Sequence, residues 1–302
     1  MRSFDRHKLK LGLFGLNCSG GLSATLVPER WHGTWAENLA AAHMADEAGL
    51  DFLLPLGRWK GYGGETDHNG ENFETLTWAA GILAATKNIM AFGTVHVPLF
   101  NPIVAAKQMV TADQIGEGRF GLNIVCGWNL AEFNMAGVEL NAHEDRYGQG
   151  QEWVDIVTRA WTSDEPFDYE GEHYTVRGAL MKPKPASGDR PIVVSAANSD
   201  RGREFAARNS DMMFTGIRTS VDEISADIAQ LKAQAREYGR EIGMFTNCYV
   251  VCRPTRKEAE DYHDYYALEM ADTGAVDTLI AGKARRGRFD ALPEEMLRSL
   301  RQ

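Results

Sequence analysis

An asparagine interrupts the apolar run FGLNIVC at position 123. A buried amide is costly unless its donors and acceptors find partners. The edge of a heterocycle, with donors and acceptors in a row, would supply them. Gly127, Trp128, Asn129 and Glu132 follow soon after. In the run Ile89–Val97, Thr94 and His96 share one strand face, and Val95 and Val97 share the other. The polar face is either the mouth of a site or a self-satisfied pair in the core, and the residues alone leave both open.

A glycine-rich stretch, Gly57-Arg58-Trp59-Lys60-Gly61-Tyr62-Gly63-Gly64, leads to Asp67-His68-Asn69. Rings on a tightly bending loop suit contact with a flat ligand, or simple packing on a rim. His68 could move a proton or bond a carbonyl, and a structural role fits equally. Further on, His143-Glu144-Asp145-Arg146-Tyr147 opens a helical stretch. Asp145 suits the N-cap. Arg146 has the forked geometry for a phosphate, with a plain salt bridge as the alternative. Ser199-Asp200 precedes another helix, whose free N–H groups would welcome an anion; capping alone would also explain the serine. Asn17-Cys18-Ser19-Gly20-Gly21 is best read as a flexible loop.

Other chemistries lack their motifs. There is no HExxH zinc pattern, no GxSxG elbow and no P-loop. GEGRFG precedes a strand instead of opening a helix, so it is no dinucleotide fingerprint.

The elements that must position these residues alternate along the 302-residue chain. Expected strands are Leu9–Asn17, Phe52–Leu56, Ile89–Val97, Phe120–Cys126, Pro191–Ala196, Met212–Thr215 and Phe245–Cys252. Helical spacing covers Trp35–Ala48, Phe73–Thr86, Pro102–Ile115, Arg146–Trp161, Arg201–Asn209, Val221–Tyr238 and Lys257–Ala271. A longer connection joins the fourth strand to the fourth helix, and Phe167–Lys184 reads as a hairpin excursion. Repeated strand–helix units without a linker argue for an α/β fold with one parallel sheet. The expected architecture is a TIM (β/α)8 barrel with insertions, a doubly wound sheet being the competitor. It would form a single domain over 1–302, with an excursion at 163–190 and an irregular tail at 273–302. Only seven strands are found where a barrel needs eight, the tail offering just a short helix from Glu294. The last βα unit is therefore missing from this sequence, and a longer true chain is favoured over an open seam. In such a barrel the working residues sit at the carboxyl ends of the strands, where those above fall.

A formal charge of −10 disfavours nucleic acid and anionic membranes as partners. The four cysteines form no CxxC pair, and Cys126, Cys248 and Cys252 lie in strand-like apolar runs. Buried thiols in a reducing cytoplasm are expected. No signal peptide or membrane span is read.

Taken together in this order, GRFGLNIVCGW, AEFNMAGVEL, HEDRYGQGQEWV, DYEGEHYTV…KPKP and SAANSDRGREFAARNSD resemble the luciferase-like flavin monooxygenases. The similarity is greatest to the pyrimidine (RutA-type) and dimethylsulfone monooxygenase branch, over about residues 8–255. The resemblance implies a monooxygenase that uses reduced FMN from a separate NAD(P)H:flavin reductase. It would insert one oxygen atom from O2 into a small organic substrate, an N-heterocycle or organosulfur compound, through a flavin peroxide. It implies FMN contacts from Gly57, Arg58, Asn123, Glu132, Arg146, Tyr147 and Ser199, the last three at the phosphate. Thr94, Asn123 and Trp128 would line the oxygen-reacting face, with His68 and Asn69 near the substrate and His68 assisting proton transfer. A homodimer or homotetramer is implied by the same analogy. Two departures stand out: Gly57 replaces a larger apolar residue, and Cys126 replaces a Ser or Thr. The alternatives are an F420-dependent oxidoreductase on the same barrel and a non-catalytic flavin-binding relative.

Overall fold

The computed structural model describes residues 9–139, 143–188, 190–196, 199–216 and 221–284. Strands and helices alternate: β1 (Gly12–Phe14), α1 (Trp35–Glu47), β2 (Phe52–Leu54), α2 (Thr75–Ala85), β3 (Met90–His96), α3 (Pro102–Ile115) and β4 (Phe120–Val125). Two helices follow, α4 (Leu130–Met135) and α5 (His143–Thr162), then the hairpin β5 (Phe167–Glu170) and β6 (Thr175–Ala179). Alternation resumes with β7 (Ile192–Ala196), α6 (Asp200–Asn209), β8 (Met212–Phe214), α7 (Val221–Glu237), β9 (Gly243–Phe245), α8 (Arg256–Asp264) and α9 (Thr273–Ala284).

Seven strands pair in parallel in the order β1-β2-β3-β4-β7-β8-β9. The sheet is rolled. β2 and β9 are five strand positions apart, about 24 Å on a flat sheet at ~4.8 Å per strand. Yet Phe52 of β2 and Phe245 of β9 stack with ring centroids 4.8 Å apart. Phe14 of β1 likewise meets Phe214 of β8 at 5.4 Å. Phe52, Leu54, Phe92, Val194 and Met212 fill the inside of this roll. Glycines make room for the rings: a Cβ on Gly12 would lie 2.5 Å from the Phe52 ring, and one on Gly121 2.3 Å from Phe92. The fold is thus of the expected TIM-barrel type, with seven parallel strands among the described residues and no pairing there between β9 and β1.

The outer face is covered by helices whose apolar stripes are buried, as with Trp78, Ile82 and Leu83 on α2 and Trp153, Ile156 and Val157 on α5. Trp153 donates its indole N–H to the Phe100 carbonyl at 2.9 Å, so its one polar atom is satisfied.

Contacts divide the chain into two compact units. The first comprises residues 1–14, 39–57 and 75–247 and contains the sheet. The second comprises residues 15–38, 58–74 and 248–302, which are the segments after β1 and β2 and the C-terminal stretch. In the second unit, Asp272 accepts from the backbone N–H of Glu65, Thr66 and Ala275 and from the Thr66 hydroxyl. Burial raises the pKa of that carboxyl, but these four hydrogen bonds outweigh it and hold the group below its ordinary value.

Several expectations need correction. The seventh strand ends at Phe245, not at Cys252. Pairing with β8 stops there, so the apolar run beyond is not buried as a strand would be, and Cys248 and Cys252 are exposed. The longer connection after β4 carries an unexpected helix, α4, which Asn129 caps by accepting from Ala131 N–H. Asp145 is not an N-cap, since α5 begins at His143 and contains it. The seventh helix does not run on to Ala271: α8 gives way to a π-helical turn at Tyr265–Glu269. The tail is helical over Thr273–Ala284, led in by the Asp272 carboxylate. The helix expected from Glu294 lies outside the described residues.

Candidate functional site

Thr94 and Asn123 lie opposite one another near the carboxyl ends of β3 and β4. Both belong to the inner face, two residues beyond Phe92 and Gly121 respectively. A chain of hydrogen bonds fixes them. Thr94 donates its hydroxyl proton to the Pro55 carbonyl at 2.7 Å. Its oxygen then has only lone pairs to offer, so Asn123 must present Nδ2, at 3.1 Å. Thr75 completes the brace by donating to the Thr94 carbonyl at 2.6 Å. The chain ends at Asn123 Oδ1, which is buried and has no hydrogen-bond partner among the described residues. Such an acceptor is a standing cost that a ligand N–H would remove.

His96 shares the face of Thr94, and a Cβ on Gly57 would sit 2.8 Å from Thr94 Cγ2 and 2.9 Å from His96 Cε1. Glycine at 57 lets the chain leaving β2 pass close to both, so any ligand contact there is through backbone. α4 brings Phe133 edge-on to His96, with centroids 6.2 Å apart, and carries Glu132, which is completely buried. Trp128 is half-buried at the end of β4.

An anion seat forms where α5 meets α6. Ser199 caps α6, accepting from Gly202 N–H at 3.2 Å. The Tyr147 hydroxyl lies 3.4 Å from Ser199 Oγ. Arg146 donates to the Gly127 carbonyl at 2.9 Å, and its Nε is buried without a partner among the described residues. Two hydroxyls, an open guanidinium N–H and a ten-residue helix N-terminus suit a phosphate. This donor set and the open Asn123 acceptor fit the two ends of a flavin mononucleotide, phosphate and ring edge.

The second unit holds three further sequence candidates, Arg58, His68 and Asn69. Arg58 is buried and donates to Tyr62 Oη at 2.6 Å and to the Lys60 carbonyl, its guanidinium 4.3 Å above the Tyr62 ring. Those bonds brace its own loop. Asn69, at a left-handed φ of 59°, gives its amide hydrogens to the Ser19 and Gly21 carbonyls, which fits a loop tie better than a substrate contact. His68 lines a cleft of about 320 Å³ with Ser19, Arg30, Trp31, Asn72 and Phe73. Its Nδ1 is buried without a partner among the described residues. Burial holds this imidazole below its usual 6.5, with the Asp272 carboxylate opposing and the Arg58 guanidinium reinforcing the shift. The unfolded chain therefore takes up this proton first as pH drops. Stability from His68 should be intact above 6.5 and decline as the medium is acidified toward the depressed folded value. His68→Gln should flatten that acid limb in urea midpoints measured between pH 7 and 5, as a histidine-centred window requires. An unchanged acid limb would show that the histidine is not held neutral.

Sequence reasoning missed Thr75 and Pro55, which have no motif and act through fold alone. It also missed Gly127 as the anchor of Arg146, although a glycine after a strand end was visible. Among the described residues no group of His, Cys, Asp and Glu is placed to hold a metal, and no helix is long and apolar enough to cross a membrane.

A rolled parallel sheet with polar groups gathered at its carboxyl-terminal strand ends defines the barrel class of α/β enzymes. Within that class the chain belongs to the luciferase-like monooxygenase family, whose profile matches residues 10–301. It is 30% identical over 252 residues to the FMNH2-dependent dimethylsulfone monooxygenase of Pseudomonas putida, covering 83% of this chain and 68% of that protein. It is 32% identical over 252 residues to pyrimidine monooxygenase RutA of Allorhizobium ampelinum, covering 82% and 68%. Among solved structures, that of the long-chain alkane monooxygenase LadA superposes with a TM-score of 0.80 over 92% of this chain and 72% of LadA, at 18% identity.

Proposed function

We propose that this chain is an FMN-dependent monooxygenase of the two-component type, working with a separate NAD(P)H:flavin reductase. The observation that carries the reading is Asn123 Oδ1, a buried acceptor without a partner among the described residues, in the unit that also presents the Arg146, Tyr147 and Ser199 donors. The family match and the FMNH2-dependent relative support it.

In this reading Arg146, Tyr147 and Ser199 hold the phosphate. Asn123 accepts from a ring N–H, kept in place by Thr94, and Gly57 lets backbone approach the ring. Trp128 walls the reacting face, and the buried Glu132 adds a contact to FMN. Reduced FMN, when bound, supplies the chemistry that activates O2 and passes one oxygen atom to a small organic substrate, such as an N-heterocycle or organosulfur compound. In the second unit, Arg58 braces its loop and a neutral His68 is able to accept a proton. The same proposal takes residues 1–302 as one domain, the family match running through both units. It takes the setting as cytoplasmic, in keeping with four free thiols, and the assembly as a homodimer or homotetramer.

The test is anaerobic titration with reduced FMN, riboflavin and F420, followed by mixing with oxygen under stopped-flow absorbance. Binding of reduced FMN in preference to F420, with reoxidation kinetics distinct from free flavin, is expected. Reoxidation indistinguishable from free reduced FMN would reject the reading.

A further inference from the structure

Helix α5 contains two glycines ahead of its buried stripe, Gly148 and Gly150. Glycine inside a helix is unfavourable relative to alanine, so its presence asks for a packing reason. Gly148 has little of one: an added Cβ would meet only His173 Nε2, at an ordinary 3.6 Å. Gly150 differs. A Cβ there would lie 2.7 Å from Cys126 Sγ and 3.3 Å from the Phe205 ring, closer than such atoms settle. Cys126 is the residue after β4, and Phe205 belongs to α6. Gly150 is therefore a close approach of α5 to both neighbours.

That approach lies one helical turn from the anion seat. Tyr147 lies one helical turn before Gly150 on the same face. Its ring packs 5.8 Å from Phe205, and its hydroxyl reaches to 3.4 Å from Ser199 Oγ. Arg146, next to it, donates to Gly127, the residue after Cys126. Both contacts of the first turns of α5 with the end of β4 thus fall on the adjacent residues 126 and 127. Burial pushes the Cys126 thiol up to about 12, against the opposing charge of Arg146, so it is present as a neutral, compact group and not as a nucleophile.

We propose that the Gly150–Cys126 contact is a spacer that sets the grip of Arg146, Tyr147 and Ser199 on the phosphate of FMN, making Gly150 a positioning residue. The proposal rests on the flavin reading above. It attributes to this pair the preference for FMN over riboflavin, which lacks the phosphate, that the flavin reading expects. Overpacking at 150 would push the first turns of α5 outward and part Tyr147 from Ser199.

The experiment titrates FMN and riboflavin into the full chain, followed by quenching of flavin fluorescence, with thermal midpoints taken alongside. Four proteins are compared with the parent: Gly150→Ala, Gly148→Ala, Cys126→Ala, and Gly150→Ala with Cys126→Ala. Gly150→Ala should weaken FMN about tenfold, the scale of an overpacked contact, and leave riboflavin within about twofold. Gly148→Ala gains the same helix propensity without the clash and should bind FMN as the parent does. The double variant, with the sulfur removed, should recover most of the lost FMN affinity. Parent-like FMN binding by Gly150→Ala would overturn the proposal. So would equal loss of both flavins with a lowered midpoint and no recovery in the double variant, since that pattern marks a purely structural glycine. If the parent itself bound neither flavin, or both equally, the flavin-phosphate reading would fail, and the spacer with it.

Discussion

Asn123→Leu is expected to weaken binding of reduced FMN by about 10–100-fold, while the flavin-free protein keeps or gains stability. The two signs follow from one atom. In the flavin-free protein Asn123 Oδ1 is buried with no partner among the described residues, so it carries a desolvation cost without return. Leucine is close to asparagine in shape and removes that cost. It also removes the Nδ2 donor to Thr94, but Thr94 keeps its bond to Pro55, so the framework loses only one acceptor interaction. With flavin present the balance reverses, because the ring N–H is left facing a methyl group. Anaerobic titration and flavin-free urea midpoints measure the two effects separately. A variant that loses both stability and flavin affinity would return Asn123 to the framework. A protein that retains an unsatisfied group where a ligand belongs is trading stability for function.

Much of this site was legible because its parts obey local rules. The period-two pattern placed Thr94 and His96 on one face, and the structure keeps them there beside Gly57. Ser199 announced itself as a cap before a helical run and is one. The seven strands followed from alternation of strand and helix, whereas their sequential order, which excludes the doubly wound competitor, shows only in the structure. What failed did so for physical reasons. The apolar run after Phe245 has strand-like composition, but burial depends on a neighbour to pair with, and composition does not supply one. Asp145 has cap chemistry, yet the helix begins before it, because helix ends are the least determined part of a periodic signal. Resemblance placed Arg58 at the flavin and Asn69 near the substrate; in the structure Arg58 bonds Tyr62 and the Lys60 carbonyl of its own loop, and Asn69 bonds the Ser19 and Gly21 carbonyls of the segment after β1. The contact between Gly150 and Cys126 joins distant positions and leaves no local signature.

The largest expected loss of stability comes from a network equally invisible along the chain. Asp211 stands immediately before β8, Arg190 shortly before β7, and Arg240 shortly before β9. Asp211 Oδ2 accepts from Arg190 Nη1 at 2.7 Å and from the Val193 backbone N–H at 2.9 Å. Asp211 Oδ1 accepts from Arg190 Nη2 at 2.8 Å and from Arg240 Nη2 at 3.0 Å. One carboxylate thus ties the amino-terminal ends of three adjacent strands, with Arg190 held by two parallel bonds. Its side chain is only 12% exposed, so exposed-pair energetics do not apply. Asp211→Ala would leave two partly buried guanidinium groups and one strand N–H without their shared acceptor. Breaking such a pair from one side costs about 3–5 kcal/mol. Asp211→Asn keeps an acceptor for one arginine but loses the charge and the bidentate geometry, and should fall between parent and alanine. Urea midpoints would rank the three proteins, and a loss below about 1 kcal/mol for alanine would mean the network behaves as a surface pair. Because the strands are anchored here at the end opposite the candidate site, flavin affinity per folded molecule should stay near that of the parent. That separation of stability from binding is the converse of the Asn123 result.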